Sequence, residues 1–264
     1  MRLDSGTVAV LAHLAFSAVA AVVYAIVRPP RPARLAGYRG VLAVLGGWAY
    51  WATRPLLGGA VALGLTPSGM TFVGLLLNVA AGVLAWHGAW GWAWVMLLWG
   101  CTGDLLDGEL ARRTGQSSKA GAFLDSNLDR VSEIALLGGV CLGLQSRAGG
   151  SWALAALGAS FMVSYARARG EGLGVACPTF GLERPHRMVI FIFTFLAAAF
   201  LPAGQAELLL TVVCGVVAIG AGATALARMV IIHQLLRRAA EPSLDALKAS
   251  ATTGWSETPP AGQP

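Results

Sequence analysis

Residues 104–129 read DLLDGELARRTGQSSKAGAFLDSNLD, and the placing of the four aspartates in this stretch decides what kind of chain it is. Asp104, Asp107, Gly108, Ala111 and Arg112 fall at i, i+3, i+4, i+7 and i+8, which is one face of a helix. Gly121, Asp125 and Asp129 fall at i, i+4 and i+8, one face of a second helix. A short polar turn joins the two, so adjacent helices can aim four carboxylates into one space. Both helices continue into apolar runs beyond this stretch, as segments that cross a bilayer do. An ionised aspartate there costs about 2.5 kcal/mol or more unless it is compensated, and four together repel one another. Arg112 alone cannot balance them. Buried salt bridges, or a position beyond the helix ends, would be the structural answer. The chemical answer is hard divalent cations with oxygen ligands, Mg²⁺ or Mn²⁺. Gly108 and Gly121 leave room for a ligand to approach the helices closely.

The rest of the chain fits this membrane reading. It has 264 residues, of which 56% are hydrophobic and 12% charged. Mean hydropathy is +0.66. Soluble domains carry about a quarter charged residues. The net charge of +6 is explained by arginines beside apolar segments, where they meet lipid headgroups and orient the chain, so no nucleic-acid partner is expected. Cys101, Cys141, Cys177 and Cys214 are widely separated, which argues for neither a disulfide framework nor a zinc site.

Working outward, residues 7–27 form an apolar run long enough to span, retained as an anchor because Arg28, Arg31, Arg34 and Arg39 follow it. Residues 41–64 are apolar too, but Arg54-Pro55 divides them into pieces too short to span; with Trp48, Tyr50 and Trp51 they read as an interfacial helix. Further spans are expected at 69–88, 90–112, 121–144, 151–170, 187–203 and 208–236, the last projecting beyond the bilayer. The expected fold is all-α: a polytopic membrane bundle of six core helices, with the extra N-terminal span and the interfacial helix. As domains, this is an anchor with its basic loop over 1–40, a membrane domain over 41–238 and a disordered tail over 239–264. The turns at 86–91 and 203–207 carry no Lys or Arg. Arg113, Lys119, Arg167, Arg169, Arg184, Arg187, Arg237 and Arg238 fall on the opposite side, with only Arg147 dissenting. The positive-inside rule therefore places the aspartates toward the cytoplasmic face of the cell membrane. Trp86, Trp90, Trp92 and Trp94 read as an interface belt. Gly139-x3-Gly143 marks a close helix contact, either within one bundle or across a homodimer.

At residues 104–129 the chain resembles the CDP-alcohol phosphotransferases, which carry D-x2-D-G-x2-A-R-x8-G-x3-D-x3-D. Eight fixed identities over 26 positions are present with unaltered spacing. The resemblance extends over about residues 41–236, leaving the N-terminal span outside it. It implies two divalent ions, Mg²⁺ or Mn²⁺, held by Asp104, Asp107, Asp125 and Asp129, with Asp129 also the general base. It implies transfer of a phosphatidyl-type group from a CDP-linked lipid to an alcohol, with release of CMP, a step of phospholipid biosynthesis. Gly108, Arg112, Ser118 and Gly121 stand at positions that hold or border the cytidine diphosphate in similar proteins. Thr66-Pro67-x-x-Met70-Thr71 resembles the family's entry to the first core helix, although an ordinary helix start has the same form.

The segments Ser164-Tyr165-x-Arg167-Ala168-Arg169-x-Glu171 and Glu183-Arg184-x-x-Arg187 look like those of members that use inositol phosphate. Arg167, Arg169, Arg184 and Arg187 would grip the acceptor's phosphate, though topology alone would also place arginines there. Gly170 stands where alanine is expected, and Pro185-His186 interrupts the second basic pair. Glycerol 3-phosphate is the alternative acceptor. From another class, an ion-coupled transporter would also bury acids in a membrane bundle. It would not require Gly108, Ala111, Arg112 and Gly121 at these spacings.

Overall fold

The computed structural model describes residues 4–29 and 40–240. Arg31, Arg34, Arg39 and the tail over 241–264 lie outside the described residues. Eight helices are present among the described residues: α1 Ser5–Val27, α2 Gly40–Ala62, α3 Pro67–Trp86, α4 Trp90–Thr114, α5 Lys119–Gly143, α6 Arg147–Gly172, α7 Arg184–Ala198 and α8 Ala203–Ala240. The polar punctuation of the sequence sets several starts. Thr66, Ser118 and Ser146 each turn a side-chain oxygen back onto an amide three residues on, at 3.1, 3.0 and 3.1 Å. Gly115, at φ +67°, ends α4 in the left-handed conformation that glycine adopts without strain.

Six helices close into a ring, packing in the order α3, α4, α7, α8, α6, α5 and back to α3. Outside the ring, α1 and α2 lie against α4 and touch each other. The apolar core fills the half of the ring holding Ala81, Leu97, Leu137, Phe191, Phe195 and Leu210. The polar residues gather at the other end. Facing outward, Phe16, Leu76, Leu154, Phe193, Leu208 and Ile219 are between 63% and 68% exposed. Charges inside and large hydrophobics outside are the arrangement a bilayer favours. By length and composition α1, α3 and α8 are each apolar enough to cross a membrane. The chain is an all-α membrane bundle.

Several expectations change in detail. Pro55 does not divide its segment: α2 runs unbroken through it, so the proline removes one backbone hydrogen bond without ending the helix. Pro185, which stands between Arg184 and Arg187, lies in the first turn of α7, which starts at Arg184. That helix ends at Ala198 rather than 203, ahead of a turn at Ala199 and Phe200. The tryptophans near the 86–91 turn are not all a belt. Trp94 is 3% exposed, with the His13 ring edge-on to it, and the Trp92 indole donates to the Ser5 hydroxyl at 3.1 Å. Gly139 and Gly143 face α3 of the same bundle, where a Cβ on Gly139 would overlap the Gly82 carbonyl. That glycine pair therefore supplies no dimer surface.

Candidate active site

Asp104 and Asp107 project from α4, Asp125 and Asp129 from α5, and α3 supplies the third wall. The Thr71 hydroxyl donates to Asp107 Oδ2 at 2.8 Å, and Asp107 is only 6% exposed. One turn along α3, Gly74 faces Asp104; a Cβ there would stand 2.9 Å from the Asp104 Oδ1. Arg184 enters from α7 and lies between the two motif helices. Its Nη2 donates to Asp104 Oδ2 at 2.9 Å, and its Nη1 reaches Asp129 Oδ1 at 2.7 Å. Arg130 Nη1 is 3.6 Å from the other Asp129 oxygen. Among the described residues no three Asp, Glu, His or Cys side chains are drawn close enough to form a ready metal shell. Arg184 supplies the positive charge between Asp104 and Asp129 in this conformation. The four carboxylates thus share one end of the bundle without converging on a single point.

Two cavities flank them. The larger, about 530 Å³, is lined by Thr66, Pro67, Ser68, Thr71, Asp107, Gly108, Arg112, Ser118, Gly121 and Asp125 among others. Thr66, Pro67, Gly108, Arg112, Ser118 and Gly121, which the motif singles out, therefore share one space. Thr66 also caps α3 and Ser118 caps α5, so the helix-start reading and the cavity reading both hold. The N-termini of both helices border this cavity, and their partial positive charge favours an anion.

The smaller cavity, about 220 Å³, is lined by Asp129, Arg130, Val163, Ser164, Arg167, Glu183, Arg184, Pro185 and Arg228. Of the four arginines expected to grip an acceptor, it contains Arg167 and Arg184. Arg169 is exposed in the last turn of α6 and does not line it. Arg187 is fully buried, its Nε and Nη2 paired with Glu133 at 2.7 and 2.9 Å and its Nη1 donating to the Leu182 carbonyl. With its donors engaged and no solvent access, Arg187 holds helices together and cannot grip an acceptor. Arg130 and Arg228 also line this cavity. Arg228, 2% exposed, donates to the carbonyls of Val163 and Phe180 and pairs closely with Glu183 Oε1. A lone arginine inside the apolar run of α8 was the signal for it. Arg130 was hidden beside Asp129.

The bundle, apolar on its outside, thus holds its carboxylates between one roomy cavity and one arginine-lined cavity. The sequence model of the CDP-alcohol phosphatidyltransferase family matches residues 64–223, and the chain belongs to that family. It is a transferase of phospholipid biosynthesis, and the transporter reading is set aside. The phosphatidylinositol phosphate synthase of Streptomyces avermitilis is 32% identical over 206 residues, covering 72% of this chain and 80% of that protein. The archaetidylinositol phosphate synthase of Pyrococcus horikoshii is 39% identical over 134 residues, 50% of this chain and 69% of that one. The crystal structure of Mycobacterium tuberculosis phosphatidylinositol phosphate synthase with CDP-DAG bound superposes with a TM-score of 0.62 at 28% identity, over 68% of this chain and 92% of the other. The same enzyme in complex with manganese and citrate gives 0.63 at 28% identity, over 68% and 88%.

Proposed function

We propose that this protein transfers a phosphatidyl group from CDP-diacylglycerol to inositol phosphate, releasing CMP. The observation that carries this reading is the pair of cavities meeting at the aspartates: one large and bordered by two helix N-termini, the other small and lined by four arginines. An acceptor bearing its own phosphate suits the second cavity, because guanidinium groups bind phosphate through paired charge-assisted hydrogen bonds. The names of the similar enzymes support the same acceptor and donor.

The donor's cytidine diphosphate lies in the larger cavity, against Gly108, Gly121 and the capped starts of α3 and α5, with Arg112 at its rim. Asp104, Asp107, Asp125 and Asp129 form an all-oxygen donor set suited to Mg²⁺ or Mn²⁺, and the manganese complex of the similar enzyme supports that use. Two such ions would neutralise the diphosphate and stabilise the leaving CMP. Asp129 borders the acceptor cavity and takes the proton from the attacking hydroxyl. The acceptor oxygen then bonds to the phosphorus carrying the diacylglycerol, the diphosphate bond breaks, and CMP departs. Loop charges support a site facing the cytoplasm from the cell membrane, with residues 1–40 an anchor ahead of the catalytic domain at 41–238.

The test is detergent-purified protein given CDP-diacylglycerol, Mg²⁺ and, in parallel, inositol phosphate, glycerol 3-phosphate, serine and free inositol. CMP release with inositol phosphate, and a phosphorylated inositol lipid by mass, is the expected result. Preference for serine or free inositol would overturn the assigned acceptor class.

A further inference from the structure

Arg112 belongs to the family motif, but the residues that hold it do not. Its side chain is 57% exposed at the rim of the larger cavity. Its Nε and Nη2 donate to Glu109 Oε2 at 3.4 and 3.0 Å. The other Glu109 oxygen accepts from Arg113 Nε and from the Tyr50 hydroxyl, each at 3.2 Å. Arg113 Nη2 in turn donates to the Tyr50 oxygen at 2.9 Å. Tyr50 comes from α2, which seats Leu57 and Ala60 against Met70, Leu106 and Leu110. Glu109 is thus a bracket between α2 and the exposed Arg112.

An exposed ion pair three residues apart on a helix does little for stability. Its effect is on direction. A guanidinium carries five N–H donors in a fixed fork, and Glu109 engages only the Nε and Nη2 side. The remaining nitrogen, Nη1, lies 3.5 Å from where a Cβ on Gly108 would stand, over the gap that glycine leaves in the cavity wall. A long arginine free to rotate would lose that setting and would have to be ordered again on each binding event.

We propose that Glu109 and Tyr50 are positioning residues for Arg112, setting its Nη1 toward the anionic diphosphate of the donor and so tying donor affinity to the seating of α2. This rests on the assignment of the larger cavity to the nucleotide. The experiment measures KM for CDP-diacylglycerol and for the acceptor, with kcat, in wild type, Glu109→Gln, Tyr50→Phe, Arg112→Ala and the Glu109→Gln/Arg112→Ala double variant. Glu109→Gln keeps the side chain's size, and Tyr50→Phe loses one hydroxyl, so a folding defect in one leaves the other to decide. Arg112→Ala should raise the donor KM roughly tenfold or more, as loss of a charge-assisted hydrogen bond does. Glu109→Gln should raise it up to about tenfold and Tyr50→Phe by less, with kcat and acceptor KM nearly unchanged. In the double variant the glutamine should add nothing, because a residue acting through Arg112 has no effect once Arg112 is gone.

If Arg112→Ala raises the donor KM and Glu109→Gln does not, the positioning role falls and the nucleotide assignment stands. If Arg112→Ala leaves the donor KM unchanged, both fall. A Glu109→Gln effect that persists without Arg112 overturns the proposal by showing a structural role. A lowered donor KM in Glu109→Gln overturns it by showing that the carboxylate competes with the diphosphate.

Discussion

Arg184 and Asp129 form a 2.7 Å ion pair that joins the first residue of α7 to the aspartate face of α5. The same guanidinium holds Asp104 on α4, so one side chain spans both motif helices from the side of the smaller cavity. Arg184→Gln keeps a polar side chain of reduced length and removes the charge. It should raise the acceptor KM by roughly tenfold or more, the worth of a charge-assisted hydrogen bond, and move the CDP-diacylglycerol KM much less. Steady-state kinetics with each substrate varied in turn is the check; equal losses for both substrates would count against the assigned cavity.

Removal of divalent metal by a chelator should abolish CMP release, and Mg²⁺ or Mn²⁺ should restore it. Asp104→Asn, Asp107→Asn and Asp125→Asn each replace a charged oxygen donor at nearly constant volume. Their Mn²⁺ affinity, read by electron paramagnetic resonance on folded protein, should fall by at least the roughly 10–100-fold that an outer-shell change costs. Near-normal Mn²⁺ binding and turnover in Asp107→Asn would refute the assignment of that residue.

Asp129→Asn separates binding from chemistry. Turnover should drop by about 10²–10⁴-fold, the usual contribution of a general base, while CDP-diacylglycerol still binds. Donor affinity lost as completely as activity would make Asp129 a ligand holder and leave the base to be found elsewhere.

Arg187 should behave unlike Arg184. Arg187→Ala leaves Glu133 charged and buried, and breaking such a pair costs about 3–5 kcal/mol. Thermal unfolding in detergent should show a large loss of stability, with the acceptor KM of any folded fraction close to wild type. A paired Arg187→Met/Glu133→Leu change should recover much of the loss. An Arg187→Ala protein of normal stability with a raised acceptor KM would reverse the roles given to the two arginines.

The aspartate cluster was legible because charge in apolar helices is rare and its spacing reveals a face. The larger cavity was legible because Thr66, Gly108 and Ser118, which line it, mark helix ends and gaps that sequence shows directly. The arginines were harder. Arg184 and Arg187 are three apart on one helix, so periodicity gives them the same face and cannot say which meets Asp129 and which meets Glu133. The clue lay on α5, where Gly121, Asp125, Asp129 and Glu133 continue at intervals of four. Glu133 is the deeper rung, one turn past Asp129, and Arg187 answers it one turn past Arg184. Arg228 required knowing that α8 packs on α6, a pairing distant in sequence.

The backbone contact between Gly82 of α3 and Gly139 of α5 has a consequence for how the enzyme can move. No side chain lies between the two helices at that point, and Gly143 comes near the Ala85 carbonyl as well, 2.6 Å from where its Cβ would stand. With nothing to rotate aside, α3 and α5 travel as one rigid plate. Shape changes would therefore fall to the opposite arc of the ring, α6, α7 and α8, which lines most of the smaller cavity, while α3 and α5 keep their places beside the larger one.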